Sequence, residues 1–353
     1  MVRIYKCPNC GGNMLYNPEK KLLLCESCGS TKNPNEFNES DLKEEENKLE
    51  ENGVVHYKCP SCGAELVTDQ YTSATICAYC GSPNIIEDRL NANFKPDRII
   101  PFKYNRDCAI KAIRKWCNDG IFSPADLLSR SNLEKVTGVY VPFWLYDIYT
   151  NTDMSAEGIK VRVYTRGDTE YTETSTFNVY RNIDAEFNKI PADASIKMDD
   201  AFMDLIEPFN YNELTDFNMS YMSGYMAEKY NYTAEELENR ATKKTNEYST
   251  NLARGTITGY DSVSVLNSNV RSSIERSEYV LLPVWIYNYR YNNKNYSFIM
   301  NGQTGKVIGK PPISKTRVFG VYLSAMVAVF LLLKLLVLFA GGKFWWKSIE
   351  RLF

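Results

Sequence analysis

The stretch YKCPNCGG at residues 5–12 recurs as YKCPSCGA at residues 57–64. A second phrase repeats in the same frame, since LCESCGS at residues 24–30 returns as ICAYCGS at residues 76–82. Both copies read CxxC, 14 further residues and CxxC, and the second copy lies 52 residues after the first. Equal spacing and matching flanks indicate an internal duplication of one small module.

The cysteines of each module have the spacing of a zinc ribbon. Two thiolates separated by two residues in a tight turn both reach one ion, at about 2.3 Å each. Four thiolates leave no open position for water, which favours a structural zinc ion over a catalytic one. Redox CxxC pairs are the alternative, and two quartets of equal spacing argue against them. The predicted ligands of two Zn²⁺ ions are Cys7, Cys10, Cys25, Cys28, Cys59, Cys62, Cys77 and Cys80.

The residues around the cysteines predict how each ribbon folds. A glycine after each CxxC pair suits a backbone that turns with positive φ. The segments NMLYN and KLLLC of the first copy predict a hairpin. So small a module has too little core to fold alone, and metal binding then supplies its folding free energy. His56 stands just before the second ribbon and is predicted to be a surface residue, because four thiolates already serve that ion.

Charge argues against nucleic acid as the partner of the ribbons. The chain has 41 basic and 43 acidic residues, whereas nucleic-acid-binding chains show a basic excess. The acidic segment 36–52 predicts a solvated helical spacer, with an acidic docking segment as the alternative. Residues 89–115 are locally basic, and they predict either a patch for the anionic membrane leaflet or a solvated helix face.

An apolar segment near the C-terminus predicts a membrane anchor. Residues 318–340 carry a single charge, Lys334, and as a helix they span about 34 Å, enough for a ~30 Å hydrocarbon core. Lys334 is expected to snorkel to the headgroups, with an acidic residue on a partner's membrane helix as the alternative. Residues 1–10 contain no apolar run typical of a secretory signal. We therefore expect a cytoplasmic-membrane protein with most of the chain in the reducing cytoplasm and the C-terminus outside.

The middle of the chain contains a second duplication. PFKYN at residues 101–105 recurs as PFNYN at residues 208–212, and VPFWLYD at residues 141–147 recurs as LPVWIYN at residues 282–288. The order of the phrases is preserved, which indicates two related α+β units. Short turn signals between the strand-like segments favour antiparallel sheets.

Helices are predicted in both units. Residues 109–117 place apolar side chains on one helix face, with Asn105 as the N-cap and Cys117 as a core thiol. In the second unit, aromatic and methionine side chains of residues 221–226 repeat at helical spacing. Residues 233–254 begin with the capping box TAEE and predict a charged helix.

These patterns together predict an α+β protein with two N-terminal four-cysteine zinc ribbons, a duplicated α+β antiparallel-sheet core and one C-terminal transmembrane helix. The expected organisation is zinc ribbon 1 (1–31), an acidic helical linker (32–55), zinc ribbon 2 (56–90), α+β repeat 1 (91–206), α+β repeat 2 (207–313), a transmembrane helix (318–340) and an amphipathic tail (341–353).

No catalytic constellation is visible in the sequence. A single histidine excludes a Ser-His-Asp triad and an HExxH zinc site, and no G-x-x-x-x-G-K-[ST] phosphate loop occurs. An enzyme with a cleft between the two repeats would need convergent carboxylates, and that class stays open.

The whole chain resembles a family of bacterial membrane-anchored double zinc-ribbon proteins, often labelled TFIIB-type or primosomal-helicase-like. The phrases that carry the resemblance are CPxCG in both ribbons, IIPFKY, GVYVPFW, LLPVWIYNYRY and NGQTGKVIGKPP. The resemblance implies a non-enzymatic adaptor that recruits SPFH (flotillin-like) and phage-shock-type membrane-stress proteins to the membrane. It implies the same eight cysteine ligands and no catalytic residues. A membrane-tethered regulator that binds nucleic acid through residues 89–115 is the alternative function.

Overall fold

The computed structural model describes residues 2–36, 42–45, 49–51, 54–90, 94–119, 122–124, 135–309 and 311–349. These described residues form four α-helices: α1 (Arg106–Asp119), α2 (Asp200–Ile206), α3 (Ala234–Gly255) and α4 (Lys315–Ile349). The strands are β1 (Val2–Tyr5), β2 (Met14–Asn17), β3 (Leu22–Cys25), β4 (Thr31–Lys32), β5 (Leu42–Glu45), β6 (Leu49–Glu51), β7 (Val54–Lys58), β8 (Glu65–Asp69), β9 (Thr72–Ile76), β10 (Pro83–Ile86), β11 (Arg98–Ile99), β12 (Thr137–Arg166), β13 (Thr169–Asp193), β14 (Thr215–Asp216), β15 (Met226–Glu228), β16 (Ser262–Tyr291), β17 (Lys294–Asn301) and β18 (Val307–Gly309).

The ribbon duplication extends to strand register. The predicted hairpin is present as β2 and β3, which pair antiparallel. Leu24 pairs with Thr31 in the first ribbon, and Ile76 pairs with Pro83, 52 residues later, in the second. The bridge between residues 6 and 13 likewise corresponds to the pairing of residues 58 and 65. The two modules therefore fold alike around their cysteines.

The ribbons share a sheet with the rest of the protein. A 12-stranded sheet has the order β14-β11-β16-β12-β15-β9-β10-β1-β5, with β13 on β12 and with β17 and β18 beyond β16. Strand β9 of the second ribbon pairs with β15, and β1 of the first ribbon pairs with β10 of the second. The sheet is largely antiparallel as predicted, but β11–β16 and β12–β15 are parallel, and each of these pairs has the long connection that parallel pairing needs.

The structure corrects the helix prediction for the acidic spacer. Where a helix was predicted, Leu42–Glu45 and Leu49–Glu51 are strands, and the remaining spacer residues 37–41, 46–48 and 52–53 lie outside the described residues. Strand β5 pairs with β1 along four residues, and β6 pairs with β7. Tertiary strand pairing has overridden the local preference of a Glu- and Lys-rich segment for helix.

The two α+β repeats lie side by side. Val141 and Leu282, the first residues of the two repeated phrases, pair directly, so VPFWLYD on β12 and LPVWIYN on β16 run antiparallel from that point. In the first repeat, α1 follows PFKYN as predicted, with the Asn105 side chain accepting a 2.8 Å hydrogen bond from the Cys108 amide. Cys117 is buried, as expected of a core thiol.

The predicted helix across residues 221–226 is wrong. A 3₁₀ helix covers Met219–Met222, and β15 begins at Met226. Ser223 is extended and Gly224 has a φ of 95°, which ends any helix there. Met222 and Tyr225 are buried, whereas Tyr221 and Met226 are partly buried.

Three strands of unusual length form an extension of the core. Beyond the repeated phrases, β12, β13 and β16 continue as a three-stranded antiparallel sheet, here called the blade (residues 148–191 and 262–275). Helix α3 packs on one face of the blade and buries the even-numbered residues of β12 from 148 to 158. The capping box of α3 is confirmed: the Thr233 side chain and Glu236 satisfy each other's backbone amides.

Helix α4 ends the described chain. Its segment Lys315–Leu336 has a mean hydropathy of 2.2 and none of it is buried against the protein. This length and composition suffice to cross a membrane. Residues 350–353 of the predicted amphipathic tail lie outside the described residues.

Candidate metal centres

All four CxxC turns have the same backbone geometry. In the first, the Cys7 amide donates to the Gly12 carbonyl at 2.7 Å, and the Gly11 amide donates to the Cys7 carbonyl at 2.9 Å. The other three turns repeat both bonds with the corresponding residues. The glycine of each turn has a φ between 71° and 76°, the left-handed region predicted from its position in the motif. The turns aim both sulfurs of a pair to the same side.

The sulfur positions fit a tetrahedral ion. In each quartet the four Sγ atoms lie within 4.8 Å of one another. The Cys7–Cys28 and Cys10–Cys25 sulfur distances are 3.6 and 3.5 Å. A tetrahedral ion with metal–sulfur bonds of about 2.3 Å requires sulfurs about 3.8 Å apart.

The second quartet is as close to that geometry. Its Cys59–Cys80 and Cys62–Cys77 sulfur distances are 3.7 and 3.9 Å. The eight sequence-predicted ligands are thus brought together as two groups, each able to hold a metal ion. Four thiolates in a tetrahedral arrangement suit Zn²⁺ by ligand type and geometry.

Each pair combines one buried and one exposed cysteine. The first cysteine of every CxxC is buried and the second is exposed. Hydrogen bonds with the hydroxyl and backbone of Ser30 lower the pKa of the Cys28 thiol to about 6. In the second ribbon, burial raises the pKa of the Cys80 thiol, but hydrogen bonds with Ser82 outweigh it and hold the value at about 6. One exposed cysteine of each quartet, Cys28 or Cys80, is therefore available to a metal as a thiolate at neutral pH, whereas the pKa of the other exposed thiol, Cys10 or Cys62, is raised.

The first ribbon is fastened to the core through the segment that precedes β15. The Tyr16 amide donates to the Ser223 carbonyl at 2.9 Å, and the Ser223 hydroxyl donates to the Met14 carbonyl at 2.6 Å. The rings of Tyr16 and Tyr221 meet edge to face at 5.2 Å. Cys7 and Cys25 belong to the same buried cluster as core residues.

The second ribbon is fastened by a strand and by a charged network. Besides the β9–β15 pairing, the Lys197 ammonium lies 2.6 Å from Asp69 of the ribbon and 3.2 Å from the buried Glu228. The Ser195 hydroxyl donates to the other oxygen of Glu228 at 2.7 Å. Sequence reasoning missed this network because its members lie up to 159 residues apart without a motif.

Beside this network lies a cleft of about 600 Å³ between the sheet and α2. Its floor includes Val139 and Ile299, and its rim includes Lys197 and Glu228, which are already paired with each other. The carboxylate of Asp199, also on the rim, caps α2 by accepting from the Phe202 amide. These rim groups are thus engaged in contacts within the fold.

The basic region does not form one surface. Arg89 is only 6% exposed and its guanidinium donates to the Asp69 and Thr72 carbonyls of the ribbon. Arg98 lies 3.8 Å from Glu278, and Lys103 lies 3.1 Å from Glu213.

The remaining exposed cations of this region are Lys95, which precedes β11, and Arg106, Lys111, Arg114 and Lys115 on α1. His56 is half-buried, 2.8 Å from Glu65, and is not among the grouped metal ligands.

Comparisons with known proteins give one informative match. The chain is 41% identical over 344 residues to the uncharacterized protein YdjG of Bacillus subtilis (strain 168), an alignment that covers 98% of this chain and 100% of the relative. No protein-family profile matches the chain. No solved structure matches it either.

Proposed function

We propose that this chain, which belongs to the same family as the Bacillus subtilis protein YdjG, is a membrane-anchored, non-enzymatic adaptor that binds partner proteins at the cytoplasmic membrane. Its two Zn²⁺ ions are structural. They hold the ribbons in shape so that the exposed ribbon surfaces are presented at a fixed position on the core.

The closed four-sulfur geometry carries this proposal. Both quartets use every tetrahedral position for a cysteine, which leaves no position for a substrate or an activated water. The apolar segment of α4 supplies the anchor. A reducing compartment is required to keep eight thiols available to metal, which supports a cytoplasmic location for the ribbons and a C-terminus on the far side of the membrane.

The second ribbon exposes apolar side chains without positive charge between its cysteines. Tyr79, between the two cysteines of the fourth CxxC turn, is 78% exposed, and Val67 on β8 is 60% exposed. An exposed aromatic residue is typical of protein-binding surfaces. Phosphate contacts instead need clustered Lys and Arg, and residues 59–80 of the second ribbon contain none. We therefore favour protein partners over nucleic acid, with SPFH-domain and phage-shock-type proteins as the class implied by the resemblance.

Affinity purification from membranes tests the proposal. The full-length chain is compared with Tyr79→Ser, which places at the turn the residue that Ser27 supplies in the first ribbon, and with Cys59→Ser/Cys62→Ser. We expect SPFH-domain or phage-shock-type proteins with the wild type, fewer with Tyr79→Ser and none with the double cysteine variant.

Two controls separate the alternatives. Metal content of Tyr79→Ser should equal that of the wild type, so that loss of a partner reflects the surface rather than unfolding. Reversal of charge at Lys111, Arg114 and Lys115 should leave the captured proteins unchanged. Identical partners with every variant, or salt-dependent nucleic-acid binding that disappears on this charge reversal, would contradict the adaptor proposal.

A further inference from the structure

The blade ends in a hairpin with an open position beside it. Strands β12 and β13 pair as far as Arg166 and Thr169, but β16 pairs with β12 only as far as Ile159. Beside residues 160–166 of β12, on the side where β16 would continue, no strand of the described chain is present. We call this position the open lane.

The backbone of β12 presents hydrogen-bonding groups to the open lane. The Ile159 carbonyl accepts from the Asp261 amide at 2.8 Å, and the Val161 amide donates to the Asp261 carboxylate at 2.6 Å. The backbone N–H and C=O groups of the odd-numbered β12 residues therefore point into the lane, since successive residues of a strand direct these groups to opposite sides. The Asp261 side chain ends β16 at that point. The Val161 carbonyl and both backbone groups of Val163 and Thr165 point into the lane beyond it.

Apolar side chains border the same lane. Val161 and Val163 are 45% and 56% exposed on the face away from α3, and Tyr164 is 42% exposed on the other face. The Arg162 guanidinium lies over the Tyr164 ring of the same strand at 5.6 Å. A two-stranded hairpin with exposed apolar faces is marginal in water, and an unpaired strand edge is a template for another strand. Lys160, Arg162 and Arg166 on this edge are charges that restrict which strand can pair there.

We propose that the open lane is filled by the same hairpin of a second copy of this chain. In the antiparallel register that places Val163 opposite Val163 of the second copy, the odd residues form hydrogen-bonded pairs, as the lane requires. Val161 then faces Thr165 of the second copy, which continues a β-branched strip across both hairpins. Arg162 faces Tyr164 of the second copy in both directions, giving two cross-strand cation–π pairs.

Self-complementarity favours this occupant over an unrelated strand. Under one two-fold operation, the Thr165 amide of each copy donates a hydrogen bond to the Val161 carbonyl of the other. The Val161 amide keeps its hydrogen bond to the Asp261 carboxylate. This register brings like charges near each other, because Lys160 lies opposite Arg166 of the second copy at each end of the lane and the two Arg162 residues are diagonal neighbours on one face. The dimer should therefore become tighter as salt concentration rises, because ions screen that repulsion.

The geometry also fits a membrane protein. The two-fold axis of an antiparallel strand pair is perpendicular to the sheet, so both α4 helices can enter one bilayer when the axis lies along the membrane normal. From Thr137 to Val161, β12 extends on the order of 80 Å at about 3.3 Å per residue. Such a dimer places two pairs of ribbons on the order of 150 Å apart. This inference does not depend on the proposed function.

Crosslinking of the full-length chain in membranes tests the dimer. Opposed residues of a hydrogen-bonded antiparallel pair have Cα atoms about 5.5 Å apart, so Val163→Cys should be joined by a short bis-maleimide. Thr172→Cys is the matched control, because Thr172 is the direct partner of Val163 on β13. In the dimer the two Thr172 residues are on the order of 15 Å apart, two strand spacings further. We expect at least fivefold more covalent dimer with Val163→Cys, over the background of the wild-type cysteines.

A second pair of variants tests the dimer without added cysteines. Val163→Lys puts two ammonium groups across the two-fold axis, whereas Thr172→Lys adds the same charge on the other strand. The dimer fraction of solubilised full-length chain, measured by light scattering, should fall at least fivefold for Val163→Lys and stay unchanged for Thr172→Lys. Equal crosslinking at positions 163 and 172, or equal dimer fractions of the two lysine variants, would overturn the proposal.

Discussion

Loss of the metal from the second ribbon should destabilise the whole core, because the ribbon supplies two strands of the main sheet, β9 and β10. The perturbation is Cys77→Ser, which removes a fully buried ligand 3.9 Å from the sulfur of Cys62. Structural zinc supplies about 10–16 kcal/mol in small ribbons, as much as the total stability of a typical domain. The ribbon is therefore expected to unfold without its ion, taking β9 away from β15.

The effect on the core follows from the contacts that are lost. Strand β9 makes two residue pairs with β15, and the Lys229 amide donates to the Tyr71 carbonyl at 2.9 Å. At about 1 kcal/mol for each hydrogen bond, their loss costs the core about 3 kcal/mol. For a chain of this size 1 kcal/mol corresponds to about 2–4 °C, so we expect the melting temperature to fall by about 6–12 °C.

Tryptophan fluorescence reports on the core and on α4 but not on the ribbons, since no tryptophan lies in residues 1–90. The five tryptophans are Trp116, Trp144, Trp285, Trp345 and Trp346. Thermal unfolding of the purified full-length chain is followed at this signal. Cys108→Ser, which changes a thiol on α1 outside both quartets, is the control and should keep the melting temperature within about 2 °C. A fluorescence transition that stays in place while Cys77→Ser loses its metal would refute the reasoning and make the ribbons independent units.

Three further predictions concern the core and the anchor. Burial raises the pKa of Glu207 to about 7, so this carboxyl favours the fold at low pH, and that contribution is lost as pH rises from about 4.5 through 7; Glu207→Gln should therefore be more stable than the wild type at pH 8, by up to about 3 kcal/mol, with the difference absent at pH 4.5 in urea titrations. Phe102 stacks on Tyr225 at 4.2 Å and meets Trp285 at 5.1 Å, so Phe102→Ala should lower the free energy of unfolding by about 3–5 kcal/mol, whereas a loss below 1 kcal/mol would show that the cluster is loosely packed. Removal of residues 315–353 should move the protein from the membrane to the soluble fraction after cell lysis, and retention on membranes would locate the anchor elsewhere in the chain.

The metal ligands were predictable because their chemistry is local. Two thiolates that share an ion must lie within one turn, so the CxxC spacing and its following glycine are written into a few consecutive residues. The same holds for the caps of α1 and α3, where Asn105 and Thr233 bond to amides three residues ahead. The repeated phrases of the core also marked the two strands that pair at Val141 and Leu282.

The attachment of the ribbons was not predictable, because it is non-local. Strand β15 has three residues and its partner β9 lies about 150 residues earlier, so neither carries a periodic signal of its own. The position of Arg89 was not predictable from composition either. As a basic residue in a basic stretch it was expected on an exposed patch, but its guanidinium donates hydrogen bonds to two backbone carbonyls of the ribbon. The helix predicted for the acidic spacer was wrong for the same reason, since the conformation of Leu42–Glu45 is set by the pairing of β5 with β1.

The number of zinc ions per chain tests the central claim most directly. Mass-spectrometric elemental analysis of reduced, full-length protein purified without added metal should give two zinc ions per chain. Substitution of one ligand in either quartet, as in Cys25→Ser or Cys77→Ser, should reduce this to one. A value near zero in the reduced wild type, or two ions retained by both variants, would contradict the assignment of the quartets as the two structural metal centres.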